Sequence, residues 1–230
     1  MLGWFQQYTI IRISASHMLE RRKTILSYCI VVGILFATGC KRQPRNEPAP
    51  PPQPQAQEQS AIRDPESDTL LIDAALDGNT QQVKLAIEKG ADVNATADEG
   101  RTALMLAAFS GHEKTIELLL DRGSKVDTQD VFGRTALMYS ASGPYPETVR
   151  ILLDHGADPN ISDTSERFTA LMYAAAEGQT HVVQTLLSHG ANCETTDADG
   201  ETALDFARKN GHTEVVQLLE KATRAVSRQP

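Results

Sequence analysis

Apolar residues recur along residues 68–223 in a pattern that repeats about every 33 positions. Each period opens with a Thr-Ala-Leu segment, and the four threonines are Thr102, Thr135, Thr169 and Thr202. A leucine-rich run follows in each period, and its apolar residues stand at helical spacing. Threonine can cap a helix by accepting a hydrogen bond from a backbone N–H that would otherwise be unpaired. Each period therefore predicts two short helices, the first capped by threonine.

A glycine closes four of the five predicted second helices, where a left-handed residue commonly ends a helix. These glycines are Gly90, Gly123, Gly156 and Gly190. One such pair of helices cannot bury its own apolar face, so stacking of several pairs has to create the core. We count five units, with the bounds 68–96, 97–129, 130–162, 163–196 and 197–224. The pattern predicts an all-α repeat solenoid over residues 67–224.

Residues 98–127, DEGRTALMLAAFSGHEKTIELLLDRGSKVD, closely resemble the ankyrin repeat pattern DxxGxTPLHxAAxxGHxxVVxxLLxxGADVN. The resemblance implies five stacked helix-turn-helix units joined by β-hairpin loops. It also implies a domain that binds another protein and is not an enzyme. Unit 1 lacks the hairpin, and Thr69-Leu70-Leu71 takes the place of the usual opening, as an N-terminal cap would. Unit 5 ends in polar residues, so we expect it to form the solvent-facing cap of the stack. A polar tail follows at 225–230.

Two units depart from the pattern in their connections. Unit 3 has Ser142-Gly143-Pro144-Tyr145-Pro146 in the turn between its helices, where unit 2 has residues 109–113. Unit 4 has one extra residue between Asp163 and Thr169 and lacks the hairpin glycine. Surface connections often carry function, but neutral drift of loops explains these changes equally well.

The first 39 residues have the layout of a secretory signal. Arg21, Arg22 and Lys23 precede an apolar run from Ile25 to Ala37. The end of this run, Ala37-Thr38-Gly39-Cys40, resembles the lipobox of bacterial lipoproteins, although leucine is commoner than alanine three residues before the cysteine. The resemblance implies cleavage before Cys40 and acylation of that cysteine. Met18 would open a signal of ordinary length, so residues 1–17 are a candidate upstream extension.

An uncleaved transmembrane anchor is the alternative for the same segment. Only 17 residues separate Lys23 from Lys41, whereas a spanning helix needs about 20 apolar residues. Both interpretations attach the domain to a membrane of the bacterial envelope, facing the periplasm in a Gram-negative cell. They differ in whether residues 1–39 remain.

Residues 40–66 follow the predicted cleavage site and favour an extended spacer. Six prolines lie from Pro44 to Pro54, and large apolar residues are almost absent up to Glu66, so this stretch cannot build a core. At about 3.1 Å per residue, a polyproline helix of this length would hold the domain up to ~80 Å from the membrane.

Charge and cysteine content exclude several functions. The chain has a formal net charge of −8, with seven Lys/Arg against three Asp/Glu in residues 1–60 and 15 against 27 afterwards. An acidic body argues against nucleic acid, because nucleic-acid binding needs basic patches that neutralise phosphate. Cys29, Cys40 and Cys193 are too few for a disulfide framework and form no CxxC pair.

Candidate chemistry in the repeats has structural explanations. His112 and His212 follow glycine as in the generic repeat, and His155 and His189 stand one unit apart, too far for a shared zinc. We expect Cys193 to act as a small, buried apolar residue. No phosphate loop, nucleophile elbow or paired-carboxylate motif occurs. We therefore expect no catalytic residue, metal, cofactor or small-molecule substrate.

The resemblance places protein binding on the hairpin tips and on the concave face of the first helices. The candidate residues are Glu99, Arg101, Phe109, Val131, Phe132, Arg134, Glu166, Arg167, Phe168, Asp199 and Glu201, with Arg208 as a further concave-face position. Val131 and Phe132 are apolar where tips are usually polar, and with Phe168 they could form an exposed patch. Alternatively, one of the phenylalanines folds back onto the core.

Three functions stay open at this point. The first is a protein-binding module, and a more specific form of it is an immunity or protective partner for an envelope enzyme or toxin. The second is a scaffold or spacer without a tight partner. The third is an enzyme, which the absence of any catalytic motif disfavours.

Overall fold

The computed structural model describes residues 65–226, which form α-helices, one short 3₁₀ turn at Asp98–Gly100 and connecting turns. The predicted signal, Cys40 and nearly all of the predicted spacer lie outside the described residues. In chain order the helices are α1 (Pro65–Leu76), α2 (Thr80–Glu88), α3 (Ala103–Phe109), α4 (Glu113–Asp121), α5 (Ala136–Ala141), α6 (Pro146–Asp154), α7 (Ala170–Ala176), α8 (Thr180–Ser188), α9 (Ala203–Lys209) and α10 (Thr213–Val226).

The helices stack in two layers. The first helices of the five units, α1, α3, α5, α7 and α9, pack in sequence against one another. The second helices, α2, α4, α6, α8 and α10, do the same, and each first helix packs on its own second helix. The predicted all-α repeat solenoid is therefore confirmed. No helix between residues 65 and 226 combines the length and the apolar content needed to cross a bilayer.

Threonine caps begin four of the five first helices, as the sequence predicted. In each case the threonine hydroxyl accepts a hydrogen bond from the backbone N–H three residues on; the pairs are Thr102 with Met105, Thr135 with Met138, Thr169 with Met172 and Thr202 with Asp205. The leucine two residues after Thr102, Thr135 and Thr169 is buried between the layers. Alanines on the same helices are small enough for close packing of neighbouring units.

Each second helix buries one apolar face, and the second helices of units 1 to 4 end at a left-handed glycine. In every unit, the residue at the centre of this face is fully buried. These residues are Ala86, Leu119, Leu152, Leu186 and Leu219. Gly90, Gly123, Gly156 and Gly190 have φ between 83° and 95°. After Gly90, the N–H of Ala91 returns to the carbonyl of Ala86 at 3.0 Å. The predicted glycine ends are confirmed.

Unit 1 begins differently from the prediction. Helix α1 starts at Pro65, two residues before the expected start of the domain, and Thr69 lies inside it. The exposed Thr69 hydroxyl donates to the carbonyl of Pro65 at 3.1 Å, so it caps nothing. Residues 65–68, which stand where the other units have a hairpin tip, are helical, so the helix extends by one more turn. Leu71 nevertheless occupies the buried leucine position, so the register of the repeat is kept.

The histidines that follow glycine connect neighbouring units. The Nε2 atom of His112 lies 3.1 Å from the carbonyl oxygen of Leu76, and that of His212 lies 3.0 Å from the carbonyl oxygen of Ala176. Both histidines are structural, as predicted. In unit 3, Tyr145 takes this position, with its ring against Gly111 and Gly143. Pro146 becomes the first residue of α6, where a missing N–H costs nothing.

The remaining candidates for chemistry lie where the sequence analysis expected them. His155 and His189 are exposed on the surface. Their Nδ1 atoms lie 2.8 Å from the carbonyl oxygens of Ile151 and Thr185, one helical turn earlier. Cys193 is buried among apolar side chains, and the Thr223 hydroxyl donates to its Sγ at 3.7 Å. Each of these side chains is part of the architecture of its unit.

Candidate functional site: the hairpin tips

The tips of units 2 to 5 are the loops at residues 97–101, 130–134, 163–168 and 197–201. Backbone hydrogen bonds join each tip to the next. The N–H of Val131 donates to the carbonyl of Glu99 at 2.9 Å, and the N–H of Thr164 donates to that of Phe132 at 2.8 Å. The N–H of Ala198 donates to the carbonyl of Glu166 at 2.9 Å. The four tips therefore form one edge with a fixed geometry, and not four independent loops.

A buried aspartate fixes the shape of three tips. Asp130, Asp163 and Asp197 are each less than a tenth exposed. The Oδ1 atom of Asp163 accepts three backbone N–H groups of its own loop at 3.0–3.3 Å. Asp130 and Asp197 each accept two in the same way. A carboxylate with these bonds replaces water as the partner of the loop backbone, so the loop is ordered without a long hairpin.

Two tyrosines complete this arrangement, and the sequence analysis missed them. The hydroxyls of Tyr139 and Tyr173 donate to the Oδ2 atoms of Asp130 and Asp163, each at 2.7 Å. Burial raises the pKa of both phenols, and the hydrogen bond to the aspartate raises it further. Each tyrosine follows its capping threonine by four residues, where unit 2 has Leu106. A polar residue at an otherwise apolar repeat position was the signal that could have revealed them.

The tip of unit 3 presents apolar side chains to solvent. Val131 is 64% exposed and Phe132 is 39% exposed. The guanidinium of Arg134 lies 4.6 Å from the centre of the Phe132 ring and 5.0 Å from that of Tyr139. Its Nε donates to the Oδ2 atom of Asp130 at 3.1 Å. Ring, cation and buried carboxylate therefore hold one another in place, and such cation–π contacts contribute about 0.5–1 kcal/mol or more.

Phe168 does not join that exposed patch. It is half-buried, with its ring centre 5.5 Å from that of Tyr173 and 4.8 Å from that of Phe206. Phe168 directly precedes the capping Thr169, as Arg134 precedes Thr135, and it covers Tyr173 as Arg134 covers Tyr139. The predicted patch of Val131, Phe132 and Phe168 is thus reduced to its unit 3 members, and the fold-back alternative holds for Phe168.

The other candidate residues occupy several environments. Phe109 is half-buried at the end of α3, a first helix, and its ring lies edge-on to that of Tyr139 at 6.2 Å between ring centres. Four charged candidates take part in three ion pairs: Arg101 with Glu99 at 3.6 Å, Arg208 with Glu220 at 2.8 Å, and Glu201 with Lys209. Glu166 and Asp199 are exposed carboxylates of the tips of units 4 and 5. Only the residues of unit 3 combine exposure, an apolar character and a fixed geometry.

Arg167 adopts a backbone conformation that normally belongs to glycine. It lies two residues before the capping threonine, where the other tips have Gly100, Gly133 and Gly200. All four residues have positive φ, and that of Arg167 is 62°. This conformation costs a residue with a Cβ atom about 1–2 kcal/mol. Glu99 in the tip of unit 2 has the same conformation, with φ 61°, so two of the four tips carry this strain.

Comparison with known protein families agrees with this architecture. The family model described as "Ankyrin repeats (3 copies)" matches the chain four times, at residues 54–130, 71–163, 124–197 and 157–228. A search of curated proteins finds no match. Ankyrin repeats are typical of non-enzymatic modules that bind other proteins. Together, the matches cover well over half of the sequence and coincide with the stacked units, so the chain belongs to the ankyrin repeat family.

Proposed function

We propose that this chain is a lipid-anchored protein of the bacterial envelope whose repeats bind another protein through the tip of unit 3. The observation that carries the binding role is the exposed pair Val131 and Phe132. Tips are normally polar, and an apolar pair in water is unfavourable unless a partner covers it. Aromatic side chains and arginine also dominate binding hot spots, and Arg134 lies against Phe132.

The order of the tips supports the same proposal. The hydrogen bonds between neighbouring tips and the buried Asp130 keep Phe132 in one position before any partner arrives. A surface that is already ordered loses less conformational entropy when it binds, so more of the contact energy remains as affinity. A spacer without a partner would have no need of an apolar residue on an ordered edge.

Phe132→Ala is expected to weaken binding of the partner by about 2 kcal/mol or more, which is roughly thirtyfold in affinity. Stability should fall by only about 0.5–1 kcal/mol, because the variant loses the cation–π contact with Arg134 and the ring is otherwise an exposed tip residue. The measurement is a quantitative pull-down of cross-linked partner from an envelope extract, together with the thermal midpoint of each purified variant.

Leu85→Ala is the matched control for this experiment. Leu85 is also a large, exposed apolar residue, but it lies on α2 in unit 1, away from the tips. Binding should be unchanged in this variant. Equal losses in both variants would contradict a site at the tip of unit 3. Failure of the wild-type chain to retain any protein in stoichiometric amount would favour a scaffold or spacer.

Cys40→Ser is expected to abolish labelling by a fatty-acid analogue and to leave the precursor uncut. The basic residues, the short apolar run and the Ala-Thr-Gly-Cys end support acylation at this cysteine. Cys29→Ser is the matched control, since Cys29 lies within the apolar run and should have no role in the modification. A wild-type protein that takes no label and retains residues 1–39 would instead support the transmembrane anchor.

A further inference from the structure

The buried Asp130 holds Arg134 in a fixed position through its Nε atom and leaves the two Nη atoms of the guanidinium unbonded. Both oxygens of Asp130 are already bonded, Oδ1 to the N–H groups of Phe132 and Arg134, and Oδ2 to Arg134 Nε and the Tyr139 hydroxyl. The Asp130 side chain is fully buried, whereas that of Arg134 is 24% exposed. Within residues 65–226, no group accepts a hydrogen bond from Nη1 or Nη2 of Arg134. These two nitrogens are available to an external acceptor.

The tip of unit 3 also differs from the other tips in charge. Three residues before the capping threonine, units 2, 4 and 5 have the exposed carboxylates Glu99, Glu166 and Asp199, whereas unit 3 has Phe132. Among the described tips, unit 3 alone has no exposed carboxylate. The body around it is acidic, with 15 Lys/Arg against 27 Asp/Glu in residues 61–230. An incoming carboxylate would therefore meet less repulsion at Arg134 than elsewhere on this edge.

We propose that the partner places an Asp or Glu side chain on the Nη edge of Arg134 and a large apolar side chain on Val131 and Phe132. The proposal rests on the protein-binding function proposed above and specifies its chemistry. The planar guanidinium matches a carboxylate with two parallel hydrogen bonds, which a lysine cannot make. Phe132 and Tyr139 lie beside the guanidinium, so it loses little freedom on binding.

The test uses a phage library of random peptides, selected on the purified full chain. The selected sequences should share an acidic residue next to a large apolar residue. A synthetic peptide of that sequence and its amide counterpart, with Asp changed to Asn or Glu to Gln, are then compared by fluorescence anisotropy. The amide peptide should bind the wild-type chain about tenfold more weakly or worse.

A double-mutant cycle assigns that loss to Arg134. Against Arg134→Gln, the acidic peptide and its amide counterpart should bind with nearly equal affinity, and Arg134→Lys should not restore the difference. Arg150→Gln is the control, because Arg150 is an exposed arginine on α6 whose guanidinium pairs with Glu147 and Asp154. The wild-type comparison of the two peptides needs no variant, so it remains decisive if Arg134→Gln is poorly folded.

The remaining outcomes separate this inference from the function on which it rests. Selected peptides without an acidic residue would overturn the inference, as would an equal amide effect on wild type and Arg134→Gln. If such peptides still lose binding with Phe132→Ala, the protein-binding tip stands and only its carboxylate preference fails. Peptides that are insensitive to both positions, or no enrichment at all, would overturn both proposals.

Discussion

Gly133→Ala is expected to destabilise the domain by about 3 kcal/mol, through left-handed strain and steric overlap together. Gly133 has φ 78°, and a Cβ atom there would lie 2.7 Å from the backbone nitrogen of Thr164 in the next tip. That nitrogen donates to Phe132, so it cannot move away without breaking the connection between the two tips. Urea unfolding followed by circular dichroism measures the loss.

Gly156→Ala separates the two causes. Gly156 has φ 87°, and its added Cβ atom would have no other atom within 4 Å. This variant should lose only about 1 kcal/mol, from the backbone conformation alone. The difference between the two variants then measures the close approach of neighbouring tips. Losses of equal size would show that the tips of units 3 and 4 do not pack as described.

Asp163→Ala is expected to cost about 4 kcal/mol of stability, because it removes the acceptor of three backbone N–H groups and of the Tyr173 hydroxyl together. Asp163 is only 4% exposed and the Phe168 ring packs against that of Tyr173, so water cannot replace the carboxylate at all of these donors. Denaturant unfolding at neutral pH is the measurement. Asp163→Asn should lose less, since its amide oxygen can still accept from the loop backbone.

Asp121→Ala is the control for removing a carboxylate without removing a network. Asp121 is exposed at the end of α4, so its loss should change stability by under about 0.5 kcal/mol. If Asp163→Ala were as mild as this control, the buried aspartates would not order the tips. The preorganised edge on which the proposed function depends would then need another origin.

Most of the fold could be predicted from the sequence because its determinants are local and repeated. The capping Thr102 and the terminal Gly123 act within their own turns, so reading them at a fixed interval gave the correct register of the helices. The exception is Thr69, which is a threonine at the same repeat position as the four capping threonines. It fails as a cap because capping also requires the chain before it to leave the helix, and unit 1 has no hairpin to make it do so.

The candidate site was less predictable because its contacts cross between units. Phe132 and Phe168 are the same residue type on neighbouring tips, and only one of them stays exposed. Their positions relative to the capping threonine would have distinguished the exposed ring from the half-buried one. The residue directly before the threonine lies over the first helix of its unit, and Phe132 stands three residues before it. The hydroxyl contacts of Tyr139 and Tyr173 depend on the folded shape of the tips, which a pattern of apolar positions does not encode.

The stacked arrangement also has a consequence for how the chain reaches its native state. Each helix makes its main contacts with its own unit and the adjacent units, so most contacts join residues no further apart in sequence than neighbouring repeats. Proteins with such short-range contacts close small loops and fold quickly compared with sheets of distant strands. Any adjacent pair of units can serve as a nucleus, and folding then spreads outward one unit at a time.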